Sequence, residues 1–345
     1  MNLKELSAIL KLSQTTVSRA LNNYPEVSEA TRHRVKTAAL ANNYRPNTRA
    51  KNLATGRSFA IGHIISTSKR NEIVNPIFAD FIAGAGEVYS RNGYDMLLSV
   101  VQDVDEERAY REMAAKASVD GIIVHGPRAN DQRLVLLKEL GIPFVVHGRT
   151  GNDETDYSWV DINNRRSFQR ATEFLLDLGH HRIALINGLE EMDFAHRRRE
   201  GFEAALINRG IQADDTLMVS DEMSEDVGYR SARKMLENGN SPTAFLVSSI
   251  LTAIGVRRAV EGSGRQLGRD ISMVIHDDEL SYLRNGRDIP IFSATRSSVR
   301  NAGQICAEML LEIIANPGQP PQKKLLETEL TVGESTGPVR PNSSI

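Results

Sequence analysis

A chain of 345 residues, 40% of them hydrophobic and 25% charged, has ordinary globular composition and is too long for one small core, so two or three packed units are expected. No apolar run approaches the ~18 residues a membrane span needs, and Met1 leads straight into polar residues without a signal-peptide core, so the expectation is a cytoplasmic protein. Cys306 is the single cysteine, which excludes an intramolecular disulfide and a cysteine metal cluster; its apolar setting, AGQICAEMLLEII, points to a buried thiol. The net charge of −2 is unevenly spread. Met1–Arg57 holds ten Lys or Arg against three Asp or Glu, a balance of +7, which leaves −9 for the remainder. A basic head on an acidic body suggests that only the head meets a polyanion.

In chain order, Asn2 reads as an N-cap with Glu5 completing a capping box, and Leu3, Leu6, Ile9 and Leu10 repeat at helical spacing. After the turn Lys11-Leu12-Ser13, Ser13 is placed to cap a second helix, Gln14 to Asn22. Its apolar side is Val17, Ala20 and Leu21, and its other side shows Gln14, Thr15, Ser18 and Arg19. Ser28 can cap a third helix running to about Asn42, with Val35, Ala38 and Ala39 inward. Two short helices joined by a tight turn and braced by a third make a helix-turn-helix. Glutamine and arginine can contact base edges in bidentate fashion, while serine and threonine hydroxyls reach phosphates. A merely solvated helix would favour Glu/Lys pairs at i,i+4, and this one has none. Between Pro46 and Gly56 lies one marginal helical segment, Asn47 to Ala54, basic through Arg49 and Lys51 and with Leu53 as its single large apolar residue. That suits a minor-groove wedge, as it also suits a linker.

The motifs LSQTTVSRALN, VSEATRHRV, NYRPN and NLATGRS together resemble the headpiece and hinge of the LacI/GalR family of bacterial transcriptional regulators. The resemblance implies that Gln14, Thr15 and Arg19 read bases, and that Ser13, Thr16, Ser18 and Asn22 hold phosphate or sugar. It also places Asn47, Ala50 and Leu53 at the DNA, the last two in the minor groove. Gln14 stands where relatives often hold an aromatic or another residue, so the operator need not be a familiar one.

From Phe59 onward, short apolar runs (FAIGHII, DMLLSVV, DGIIVHG, PFVVHG, RIALING, LMVS, AFLVSS, ISMVIHD) alternate with helical stretches such as FADFIAGAGEVYSRN and RRSFQRATEFLLDL. Gly93, Gly141, Gly179 and Gly210 follow helical runs, where left-handed C-caps belong. The pattern predicts doubly wound parallel sheets in two lobes. The resemblance extends through NPIF, LGHHRIALING, RREGF and IHDD and implies a two-lobed core like a periplasmic binding protein. The expected domains are a headpiece over 1–46, a hinge over 47–57 and a core over 58–345. Within the core, one lobe takes 58–160 and 289–321 and the other 161–288 and 322–337, with crossings near Asp161, Asp288 and Gln322.

Ligands of such sheets sit beyond the carboxyl ends of the strands. Polar residues there are Asn75, Phe78, His125, His147, Arg149, Arg198 and Asp277, and the family positions favour Arg198 and Asp277. A carboxylate and a guanidinium can bridge sugar hydroxyls while an aromatic ring covers the apolar face. His180 reads as a packing residue. Ser249-Ile250 replaces the Asn-Asp usual in relatives, which changes the hydrogen bonding there. The runs VVHGR and DDELSYL resemble regulators of alpha-glucoside operons.

GESTG, Gly333 to Gly337, imitates a nucleophile elbow, but Pro338 follows instead of a helix, so no catalytic residue is assigned. No metal-ligand spacing and no complete dinucleotide fingerprint are present, and no cofactor is expected. The leading reading is a homodimeric DNA-binding repressor that binds double-stranded operator and a small-molecule effector, a sugar, with no membrane partner. Its rivals are an α/β sugar- or nucleotide-processing enzyme with a DNA-binding appendage and a transport-type binding protein.

Overall fold

The computed structural model describes residues 1–44, 56–66, 75–151 and 156–340, in two units, Met1–Phe59 and Ala60–Ile345. The first unit is built from α1 (Leu3–Leu10), α2 (Gln14–Leu21) and α3 (Glu29–Ala41), each started by a side-chain cap. Asn2 Oδ1 accepts from the Glu5 N–H at 3.0 Å while Glu5 Oε2 accepts from the Asn2 N–H at 3.1 Å, the reciprocal box read from the sequence. Ser13 and Ser28 accept from the N–H groups of Thr16 and Thr31. Lys11, at φ 52°, makes the left-handed C-cap that turns α1 into α2. Leu6, Leu10, Val17, Ala20, Val27, Val35 and Ala39 bury one small core between the three helices.

The second unit contains β1 (Ala60–Ser66), β2 (Asp95–Val101), β3 (Gly121–His125), β4 (Phe144–His147), β5 (Ser158–Ile162), β6 (Ile183–Asn187), β7 (Met218–Ser220), β8 (Ala244–Val247), β9 (Ser272–Asp277), β10 (Ser293–Arg296), β11 (Lys323–Leu326) and β12 (Glu329–Thr331). They form two six-stranded sheets, ordered β11-β5-β4-β3-β1-β2 and β12-β10-β9-β8-β6-β7. The first is parallel throughout; the second is parallel except for β12, which pairs antiparallel with β10 at its edge. Central strands such as Ile122–Val124 and Ala244–Val247 are buried on both faces, as sheets covered by helices on each side require.

The helices pack in pairs. Pro76–Arg91 crosses Val299–Ala315 at two glycines, where a Cβ on Gly84 would lie 2.1 Å from the Arg300 carbonyl oxygen and one on Gly303 2.2 Å from that of Phe81. No larger residue fits this crossing. Cys306 is buried in Val299–Ala315, and burial pushes its thiol pKa up.

Sheet membership departs from the sequence expectation at two strands. β10 belongs to the second sheet, not the first lobe, through parallel pairing of Ser293 with Val274 and of Arg296 with Asp277. β11 belongs to the first sheet, not the second lobe, through pairing of Lys323 with Trp159. The chain therefore passes between sheets after β5, after β10 and again between β11 and β12. Neither SATR nor KKLL carries an apolar run, so their sheet is set by the partner strand and not by their own pattern.

Candidate nucleic-acid interface and effector cleft

In the headpiece, Gln14, Thr15 and Arg19 are exposed along α2, while Val17 and Ala20 hold the helix to its core. Ser13, Thr16 and Asn22 meanwhile serve the helix ends. The hydroxyls of Ser13 and Thr16 lie 2.8 Å apart, and Asn22 Nδ2 donates to the Ser18 carbonyl at 2.9 Å. Lys36 donates to Asn23 Oδ1 at 2.6 Å and Arg32 to the Tyr24 and Val27 carbonyls, each at 3.1 Å, so α3 braces the loop after α2. The arrangement presents one polar helix face on a fixed three-helix support. Asn47, Ala50, Lys51 and Leu53 lie outside the described residues.

In the core, the carboxyl ends of both sheets border a cleft of about 420 Å³. It lies within the ~300–1,000 Å³ range of small-molecule sites. Its rims are bridged: the Asp80 carboxylate accepts from the Ser281 N–H at 2.7 Å and its hydroxyl at 2.6 Å, and the Asp193 N–H donates to the Pro127 carbonyl at 3.1 Å.

Arg198 lines the cleft from the helix Asp193–Asn208. Its Nε donates to Asn164 Oδ1 and its Nη1 to the Ser248 carbonyl, both at 2.8 Å, and Phe168 and Phe194 lie with ring centroids 5.0 Å from the guanidinium carbon. Burial lowers its pKa to about 10, with Asp278 and Asp161 opposing the shift, so it stays a cation at neutral pH. Asn164 is itself fixed by donating to the Ile162 carbonyl at 3.0 Å.

The first sheet contributes Asn75, Phe78, His125 and His147. Asn75 caps its helix by accepting from the Ile77 N–H at 3.0 Å, which turns Phe78 along the cleft wall; the Phe78 and His125 rings meet edge-on at 5.1 Å. His125 Nε2 lies 3.0 Å from His63 Nδ1, and His63 Nε2 lies 3.1 Å from the Tyr89 hydroxyl. Burial lowers the pKa of His63 to about 3 and of His147 to about 4, and holds His125 well below its ordinary value. The two that line the cleft, His125 and His147, are therefore neutral there, hydrogen-bonding groups and not cations.

Two expected residues do not line the cleft. Arg149 is buried beneath it, donating from Nε to Asp161 Oδ2 at 3.0 Å and stacking over Trp159. Asp277 turns its carboxylate back to accept the Glu279 N–H at 2.9 Å, and the cleft residue is its neighbour Asp278. Adjacent side chains at a strand end face opposite ways, so one of an Asp-Asp pair must turn from the ligand. Spacing alone does not say which. Asp221 and Glu222, just beyond β7, also line the cleft. They follow the apolar run LMVS as His147 follows PFVV, the same strand-end signal.

The remaining sequence readings resolve into packing. His180 is held by Thr243 at 3.0 Å, Ser272 at 2.8 Å and the Gly337 carbonyl at 3.0 Å. Ser249 caps Ile250–Gly262 by accepting from the Thr252 N–H at 3.2 Å, and Ile250 is buried. Ser335 of GESTG joins two strands, donating to the Met273 carbonyl at 2.5 Å and accepting from the Ser293 N–H at 2.9 Å. Among the described residues no cluster of His, Cys, Asp and Glu could hold a metal, and no helix is long and apolar enough to cross a membrane.

A helix-turn-helix unit followed by two doubly wound sheets around a ligand cleft is the build of a ligand-controlled transcriptional regulator. The chain belongs to the LacI family: residues 4–47 match the bacterial regulatory proteins of the lacI family, and residues 172–336 match the periplasmic binding protein-like domain. Among its relatives, the HTH-type transcriptional regulator AglR of Rhizobium meliloti (strain 1021) is 42% identical over 100% of this chain and 96% of its own length. The HTH-type transcriptional regulator CelR of Thermobifida fusca is 30% identical over 96% of this chain and 97% of its own. The lac repressor dimer bound to operator and the anti-inducer ONPF superposes with a TM-score of 0.82 at 25% identity, covering 98% of this chain and 99% of that one. A CelR–cellobiose complex does so with a TM-score of 0.72 at 28% identity, over 97% and 99%. This protein is a sequence-specific DNA-binding transcriptional repressor under effector control, not an enzyme.

Proposed function

We propose that the effector is a small sugar, an alpha-glucoside by the resemblance of VVHGR and DDELSYL, and that it acts as an inducer. One observation carries the reading: a guanidinium fixed by Asn164 and Ser248 stands in a cleft that also offers Phe78 and Phe194 rings, neutral histidines and Asp278. Rings cover the apolar face of a pyranose, and the charged groups take its hydroxyls in short hydrogen bonds. Cellobiose in the CelR complex supports a sugar. Asn75, Phe78, His147 and Arg198 are the expected contacts. Arg149 acts through Asp161, and Asp278 takes the part first given to Asp277.

DNA is read by Gln14, Thr15 and Arg19, positioned through Ser13, Thr16, Ser18 and Asn22, with Asn47 a further DNA contact and Ala50 and Leu53 entering the minor groove. The working unit is a homodimer, since one short recognition helix offers too few base contacts for tight specific binding. The edge strand β2 leaves Leu98 and Val100 each 44% exposed, an apolar edge suited to a second copy. A sedimenting monomer at micromolar concentration, or a stable tetramer, refutes the dimer.

The segment 47–57 leads directly into β1, so a lobe arrangement favoured by the sugar alters how the two hinges of a dimer meet. A ligand shifts that equilibrium only by its differential affinity for the two states, and operator must weaken the sugar by the same factor. Calorimetric titration of the sugar with and without operator measures both. Equal affinities sink the coupling, and tighter sugar binding with operator present makes the sugar a corepressor.

A further inference from the structure

The carboxylates of the cleft are not all matched by cations. Asp161 is paired with Arg149, and Glu225 with Arg258 at 3.1 Å. Asp221, Glu222 and Asp278 have no Lys or Arg ion pair among the described residues; Asp278 Oδ1 has only the His276 ring, at 3.4 Å. Against these three carboxylates the cleft holds one arginine, Arg198, and the histidines that face it, His125 and His147, are uncharged.

Arg198 carries one positive charge and so offsets only one of the three. With Nε on Asn164 and one Nη1 hydrogen on the Ser248 carbonyl, the edge formed by Nε and Nη2 is closed to a bidentate anion, and three of the five N–H groups remain, one on Nη1 and two on Nη2. Helix N-termini are the other source of anion affinity. Several at the cleft already carry side-chain caps, Asn75 on Ile77, Ser224 on Val227 at 3.3 Å and Ser249 on Thr252, while that of Asp193–Asn208 has none, its first N–H donating to the Pro127 carbonyl at 3.1 Å and the Asp193 carboxylate lying in its first turn. The balance of the site is negative.

We infer that Asp221, Glu222 and Asp278 make the cleft selective by charge, admitting uncharged glycosides and rejecting their phosphorylated and uronic acid counterparts. This rests on the sugar reading above and narrows it to one chemical class. The discrimination is partly repulsive: a phosphate beside the half-exposed Asp221 and Glu222 meets like charge. The regulator thus responds to a sugar before phosphorylation and is blind to the phosphorylated product.

Matched pairs test this on the full-length protein: maltose against maltose 6′-phosphate, trehalose against trehalose 6-phosphate, glucose against glucuronate. Each is titrated by calorimetry and by the shift of the thermal midpoint. The neutral member of any pair that binds should be about 10- to 100-fold tighter. The gap should narrow as salt rises, because screening weakens repulsion between partly exposed charges. It should narrow further in the double variant Asp221→Asn, Glu222→Gln. Should that variant fail to fold, the salt series on the unaltered protein decides alone. An anionic member that binds as tightly as its neutral partner, or a gap indifferent to salt, overturns charge selection while leaving the sugar reading standing. If neither member of any pair binds, the sugar reading falls, and this inference with it.

Discussion

The headpiece and the core put functional side chains to use in opposite ways. In α2 the base-reading candidates Gln14, Thr15 and Arg19 stand exposed within two turns of one helix, and seven buried side chains supply the core behind them. In the second unit the cleft-lining groups Arg198, Asp278 and His147 are gathered from separate strand ends and helices, and burial lowers the pKa of the histidine. The small unit leaves its chemistry to an absent partner; the large unit has already desolvated its own. The headpiece is therefore sensitive to loss of packing and the core to protonation.

Acid gives the largest contrast. His63 and His147 hold folded pKa values near 3 and 4 against 6.5 in the unfolded chain, because burial disfavours the imidazolium. Below pH 6.5 the unfolded chain takes protons the folded core refuses, so stability is full above that pH and falls as pH drops towards 4. Each histidine costs about 1.4 kcal/mol per pH unit in that window. Trp159, the chain's one tryptophan, is buried in the core and reports its unfolding alone. A denaturation midpoint followed by Trp159 fluorescence should drop steeply between pH 6.5 and 4; a flat midpoint breaks this half of the comparison.

Leu6→Ala should separate the units from the other side. Removing a fully buried leucine costs about 2–5 kcal/mol, a large share of what so small a core can supply. Operator binding measured by fluorescence anisotropy should be lost while calorimetric effector affinity is kept. Loss of both would show that the units do not fold independently.

Arg19→Ala should leave the headpiece folded and reduce operator affinity by about 1–3 kcal/mol per half-site, with little change on scrambled DNA. Unchanged preference for the operator would remove Arg19 from the reading face. The smallest effect is expected from Ser13→Ala, which deletes the α2 cap and should lower headpiece stability by about 1 kcal/mol, seen as a modest fall in the headpiece melting temperature by circular dichroism. A neutral result would mean that Thr16 finds another acceptor.

The difference between the units also separates what could be read from sequence. Capping box, tight turn and apolar spacing lie within forty-odd adjacent residues of the headpiece, and local hydrogen bonding together with helical periodicity determines them, so the sequence by itself specified the three helices and the exposed face of α2. Eight core strands were legible for the same reason: each carries its own apolar run. β5, β10, β11 and β12 were not, because short polar segments such as SATR and KKLL acquire strand geometry and sheet identity only from the neighbours that pair with them. The site divides likewise. Arg198, His147, Phe78 and Asn75 could be named from their places after strands, since strand ends point to the cleft. The choice of Asp278 over Asp277, the withdrawal of Arg149 to Asp161 and the excess of carboxylates around one arginine depended on which side chains fold against one another. Sequence fixes a residue's place along its own element; direction, burial and charge balance arise only when distant elements share a desolvated space.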